Sequence, residues 1–180
     1  GDEVSEYWLK PEYTLERVVK YGTTAVLATV VIPQRGLNEP AAPQLINPFQ
    51  EVCINLCACG LCLGGNVSEK IPRVAKKLNS LVGKQSANSA VLEGIHAEGP
   101  IVATLGGLPQ GEPRMSMTDF VELIKMLGSG LRIMTISPSV DAPDGYPKIQ
   151  LLQRQGVKVA LGHDKECTAE DVIGALRLST

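Results

Sequence analysis

The sequence predicts an α/β fold built from parallel βα units, and three observations carry that expectation. Helical and strand signals alternate along the chain, the first strand candidate, Thr23–Ile32, is apolar on both faces, and glycine or proline closes most segments. A strand apolar on both faces is what a covered parallel sheet requires. Its right-handed crossovers would place helices outside one sheet. At this level an open sheet and a barrel both remain compatible with the pattern.

The first helix is expected over Thr14–Lys20, with Thr14 as N-cap, apolar Leu15, Val18 and Val19, and Gly22 as its stop. Thr23–Ile32 (TTAVLATVVI) reads as a strand ended by Pro33. The second helix runs from about Ser68 to Leu81, with Pro72 tolerated only in its first turn and Val74, Leu78 and Leu81 forming a stripe. Ala90–Ala97 is the second strand. Thr118–Leu127 presents Phe120, Leu123, Ile124 and Leu127 on one helical face, and Gly128 and Gly130 close it. Leu131–Ile136 is the third strand, ending at Ser137-Pro138. A helix over about Tyr146–Gln155 leads through Gly156 into a fourth strand, Val157–Leu161. Thr168 opens a capped final helix with Glu170 and Asp171 where the macrodipole favours them.

Residues 1–180 are therefore expected to form one domain, with a Pro/Cys-rich insertion at about 34–66 that breaks the alternation. Hydrophobic residues make up 44% of the chain, charged residues 20%, and the formal net charge is −2. That balance asks for neither nucleic acid nor an anionic membrane. No apolar run approaches the ~20 residues of a membrane-spanning helix, and the acidic start Gly1-Asp2-Glu3 is unlike a signal peptide, so a cytoplasmic protein is expected. Unpaired apolar strand edges lead to an expectation of homo-oligomers.

Chemistry in parallel sheets gathers at the C-terminal strand ends. At the second of these, Gly94-Ile95-His96-Ala97-Glu98-Gly99-Pro100, strand alternation puts Gly94, His96 and Glu98 on one face and Ile95 and Ala97 on the other. Taken alone, the spacing equally fits a solvated glutamate beside a core histidine. At the fourth, Leu161-Gly162-His163-Asp164 places a histidine just before a capped helix, and neutral imidazole is the commonest nitrogen ligand for metals. These are the chain's two histidines, so a histidine-rich metal site cannot be completed from it alone. Ser137-Pro138, at the third strand end, offers a loop and no strong catalytic group.

Four of the five cysteines cluster as Cys53-x3-Cys57-x-Cys59-x2-Cys62, which argues against disulfides spread through the chain. A single CxxC matches no standard metal framework. The interleaved Ile54, Leu56, Ala58, Leu61 and Leu63 read as a packed insertion. Cys59 and Cys62 are the alternative metal ligands.

The segment GIHAEGP resembles the GLHLEGP motif of the N-acetylglucosamine-6-phosphate deacetylase family, in the amidohydrolase superfamily. In the same order, YGTTAVLATVV is similar to that family's HGTTSFLPTLV strand, MTISPSVD to its TLAPE strand end, and VKVALGHD to its VSLGHT segment. The resemblance covers most of residues 13 to 178 outside the insertion. It implies part of a TIM-type (β/α)8 barrel, with Glu98 and His163 as metal ligands and His96 supporting Glu98 from behind. The implied cofactor is a divalent metal, zinc by default, with iron, cobalt or manganese also suited to mixed oxygen and nitrogen ligation. The implied activity is hydrolysis of the N-acetyl amide of N-acetylglucosamine-6-phosphate or a related amino sugar, the phosphorylated amino sugar being the partner.

The family's DxHxHG opening, its THLFNAM-type strand and its acid/base aspartate have no counterpart in this chain, so the 180-residue chain is expected to be inactive by itself. Ala103–Gln110 stands where the family carries a KKGAH-like stretch, and Asp164 replaces its Thr or Ser, adding a negative charge near the implied metal. These departures keep a second expectation in play: a catalytically inactive amidohydrolase-like binding or assembly module.

Overall fold

The computed structural model describes residues 10–32, 67–106 and 115–178. The elements are α1 (Pro11–Val18), β1 (Ala25–Val31), α2 (Val67–Asn79), β2 (Val91–Glu98), α3 (Met117–Leu127), β3 (Leu131–Ile136), α4 (Pro138–Asp141), α5 (Pro147–Arg154), β4 (Lys158–Leu161) and α6 (Ala169–Arg177). The insertion expected at about 34–66, with Cys53, Cys57, Cys59 and Cys62, lies outside the described residues, as do residues 107–114.

Several helix starts differ from the expectation. Helix α1 begins at Pro11 rather than Thr14, because proline at the first position has its φ pre-set and lacks only a donor that would be unpaired there. Helix α3 begins at Met117 rather than Thr118 and is capped by Ser116, whose Oγ accepts from the Asp119 amide at 3.1 Å. Helix α2 starts at Val67 and runs through Pro72, which therefore sits in its interior rather than its first turn. Helix α4 is absent from the sequence reading altogether.

The four strands are all parallel and lie in the order β1-β2-β3-β4. A doubly wound sheet reverses its strand order at a switch point and carries helices on both faces. Here the order never reverses, so right-handed crossovers stack successive helices on one face. Four strands wound this way are half of the eight in a closed (β/α)8 barrel.

Burial follows the same division. Ile95, Ala97, Met134 and Ile136 point to the helical side and are inaccessible, packed with Ile71 and Leu78 of α2, Phe120 and Leu123 of α3, and Leu152 of α5. The opposite face carries Leu27, Thr29, His96 and Thr135, and Leu27 remains 37% exposed. Asn79 joins the helical layer to the sheet: Nδ2 donates to the Ala75 and Leu127 carbonyls at 2.7 and 2.8 Å, while Oδ1 accepts from the Gly130 amide at 2.6 Å. It thereby fixes the entry into β3. Among the described residues, no helix is long and apolar enough to cross a membrane.

Candidate metal centre

Glu98 is the last residue of β2, and its carbonyl accepts from the Ile32 amide at 2.9 Å, which anchors the strand end. Gly99 then takes a left-handed φ of 81°, and a Cβ there would lie 3.0 Å from the Ile32 carbonyl oxygen, so glycine suits the turn. Beyond it the chain crosses the end of β3. The Ser137 amide donates to Ile101 O at 2.8 Å, the Ala103 amide to Ser137 Oγ at 2.8 Å, and the Thr104 amide to His163 O at 2.6 Å.

This crossing loop brings the ends of β2 and β4 together although β3 lies between them. His163 Nε2 stands 2.6 Å from Glu98 Oε1, a contact between residues 65 positions apart. Both side chains are partly open to solvent, at 31% and 22%. The sequence-predicted pair is thus adjacent.

The donor and acceptor count around His163 defines what the pair can hold. Its Nδ1 lies 3.0 Å from the Thr104 carbonyl oxygen, which can only accept, so Nδ1 carries a hydrogen and donates. In the neutral ring that leaves a lone pair on Nε2, facing a carboxylate oxygen that is itself an acceptor. Two facing lone pairs at this distance require a positive species between or beside them, either a proton or a cation. Orientation of the imidazole through a carbonyl on its other nitrogen is also the usual arrangement for a metal-ligating histidine. The donor set fits two corners of a divalent-ion site.

His96 lies on the same sheet face, with Nδ1 3.2 Å from Thr29 Oγ1 and Nε2 2.8 Å from Thr135 Oγ1. Both ring nitrogens are taken up by hydroxyls on the flanking strands. Its link to Glu98 is electrostatic: burial holds the imidazole below the usual histidine range, and the negative charge of Glu98 opposes that shift. Asp164 Oδ2 accepts from the Ser139 amide at 2.9 Å, while Oδ1 is buried without a hydrogen-bond partner among the described residues. Among those residues, no group of three or more His, Cys, Asp or Glu side chains converges on one point. Glu98 and His163 therefore do not make a complete metal site by themselves among the described residues. Cys59 and Cys62 lie outside the described residues, and the remaining cysteine, Cys167, has its Sγ 3.5 Å from the Asp164 carbonyl oxygen.

Ser137, noted from the sequence only as part of a strand-end loop without a strong catalytic group, has a bonding role that its local pattern does not reveal. It is fully buried, and its hydroxyl meets the Gly162 and His163 carbonyl oxygens at 3.0 and 2.8 Å besides the Ala103 amide. That pattern is a small hydroxyl residue at a strand end, immediately before a proline that can start a helix. A surface hollow lined by Thr24, Gln85, Ser86 and Ser89 lies at the opposite end of the sheet, away from Glu98 and His163.

No family model matches the chain, and no curated protein matches it. Among solved structures, it is similar to the N-acetyl-D-glucosamine-6-phosphate deacetylase of Mycobacterium smegmatis, at 21% identity and a TM-score of 0.44, over 62% of this chain and 29% of that one. A mutant of that enzyme in complex with N-acetyl-D-glucosamine-6-phosphate aligns with the same identity and score, over 62% of this chain and 27% of that one. This chain thus spans less than a third of either structure.

Proposed function

We propose that Glu98 and His163 are two ligands of a divalent-ion site, and that the complete protein hydrolyses the N-acetyl amide of N-acetylglucosamine-6-phosphate or a related amino sugar. The observation that carries the reading is the convergence of His163 Nε2 and Glu98 Oε1, 2.6 Å apart at the ends of β2 and β4, with His163 Nδ1 engaged by a carbonyl. The four motifs resembling the deacetylase family, in the same order along the chain, support it.

When bound, a divalent ion polarises an amide carbonyl and lowers the pKa of a bound water, which supplies a nucleophile near neutral pH. Glu98 contributes a negative charge and an oxygen donor, and His163 a neutral nitrogen donor. Thr104 holds the ring plane, and His96, locked between Thr29 and Thr135, stiffens the strand that presents Glu98. Two protein donors leave further positions for other ligands. A second reading is favoured by the closeness of the same pair: with a proton between them, Glu98 and His163 form a self-sufficient ion pair in a non-catalytic binding or assembly module.

Acetate release from N-acetylglucosamine-6-phosphate by the complete protein, with zinc, cobalt or manganese supplied, separates the two. The hydrolase reading expects metal-dependent turnover that falls by about 10³-fold in kcat/KM for Glu98→Gln or His163→Asn, several kcal/mol of lost charge stabilisation. Absence of metal-dependent turnover, or turnover indifferent to both substitutions, leaves the module reading.

A further inference from the structure

We infer that Ser137 is a positioning residue: its buried hydroxyl ties the loop after β2 to the loop after β4, and so holds the His163 imidazole with Nδ1 protonated and Nε2 directed at Glu98. The clamp itself stands on geometry alone. Only its consequence for metal affinity rests on the ligand reading given above.

A serine directly before a helix-opening proline ordinarily caps its own helix. Ser137 does not, making no side-chain bond to α4. Its hydroxyl instead accepts from the Ala103 amide at 2.8 Å and directs its one proton to the Gly162 and His163 carbonyls at 3.0 and 2.8 Å. Three segments therefore share one hydroxyl that is closed to solvent. His163 adopts φ 55°, a left-handed conformation that a side chain with Cβ rarely takes and that needs external support. That support comes from Ser137 and Thr104. The carbonyl of His163 receives the Ser137 hydroxyl and the Thr104 amide, and the Thr104 carbonyl receives Nδ1. Ser137 Oγ tethers residue 103 as well, and so adds to the Thr104 amide bond in keeping residue 104 within reach of the imidazole. Thr104 Oγ1 completes the knot by accepting from the Lys165 amide at 3.0 Å.

The test reads the tautomer of His163 directly, by imidazole 15N–1H correlation spectra of the metal-free protein in alkaline buffer. Wild type is expected to show a single Nδ1–H tautomer, and Ser137→Ala a mixture of both. Cobalt titration is expected to give affinity lower by about tenfold or more in Ser137→Ala, the range for loss of a group that orients a ligand. Ser137→Cys nearly preserves volume but replaces the hydroxyl with a weak donor and acceptor, and is expected to fall between the two. It decides the matter if the alanine variant does not fold. Ser80→Ala removes a hydroxyl of the same type from the end of α2, away from the site, and is expected to match wild type. A folded Ser137→Cys protein with the wild-type tautomer and wild-type affinity overturns the inference. A wild type with the single tautomer but no cobalt binding sinks the ligand reading and leaves the clamp intact.

Discussion

Replacing Lys148 with methionine is expected to destabilise the fold by about 3–5 kcal/mol at neutral pH, the range for leaving a buried charge without its partner. Asp141 is inaccessible to solvent and Lys148 is 5% exposed. Asp141 Oδ2 accepts from the Lys148 and Ile149 amides at 3.0 and 2.9 Å, and so caps the first turn of α5, whose own N-cap residue, Tyr146, makes no side-chain bond to the helix start. Lys148 Nζ lies 3.5 Å from Oδ1, a Coulombic contact rather than a well-formed hydrogen bond. Burial raises the Asp141 carboxyl above its ordinary range, against the two amides and the ammonium that favour its charge.

A raised native pKa means that the fold takes up the proton more readily than the unfolded chain. The site's contribution to stability is therefore greatest below the ordinary carboxylate value of 3.8 and is lost as pH rises through the raised one. Removing the ammonium widens that window. The penalty of Lys148→Met is accordingly expected to shrink as the medium is acidified from neutrality, and urea unfolding at several pH values reads it. The double variant Asp141→Asn with Lys148→Met keeps an oxygen for the α5 amides and buries no charge, so it is expected within about 1.5 kcal/mol of wild type. A pH-independent penalty, or a double variant as unstable as the single one, contradicts this account of the pair.

The second large effect is expected at Gly94, where alanine should cost about 3 kcal/mol, the upper part of the range for overpacking. A Cβ at this position would lie 2.7 Å from the Gly130 carbonyl oxygen and 2.3 Å from Arg132 Cγ. The arginine side chain can move; the backbone carbonyl cannot move without disturbing the Asn79 bond to the Gly130 amide. The close approach arises from an irregularity in the pairing of β1 with β2, where Val26 faces Leu92 and the next residue, Leu27, faces Gly94, so that Glu93 is the extra residue. Past this bulge Ile95 and Ala97 bury against the helices, while His96 and Glu98 take the open face. Gly94→Ala is thus expected to lower the urea midpoint and also to perturb the amide resonances of His96 and Glu98. A midpoint unchanged from wild type would show that the strand end tolerates the bulk.

What was readable in the sequence follows how local its cause is. Strand β3 occupies Leu131–Ile136 as expected, since its apolar run and flanking glycines suffice to place it. Thr168 caps α6 as expected, and Asp171 returns the bond to complete a capping box, with amide–oxygen distances of 3.2 and 2.8 Å. Alternation placed His96 and Glu98 on one face because the period of two is a property of the strand itself. Helix α4, the Glu93 bulge and the Asp141 cap on α5 were not readable, because each depends on partners fixed only when strands register and loops pack. The same holds at the site. His96 meets Thr29 because the two are paired across β1 and β2, and Ser137 acquires its role from a loop that crosses over from β2. The family resemblance pointed to Glu98 and His163 as ligands; their contact depends on that crossing loop.

Manganese titration followed by amide NMR reads out whether Glu98 and His163 hold a divalent ion as proposed, because paramagnetic broadening marks residues near the ion even when binding is weak. Broadening is expected to centre on Glu98, Thr104 and His163 and to disappear in Glu98→Gln while the rest of the spectrum stays native. Broadening elsewhere only, or broadening at these residues that survives Glu98→Gln unchanged, would contradict the proposed site.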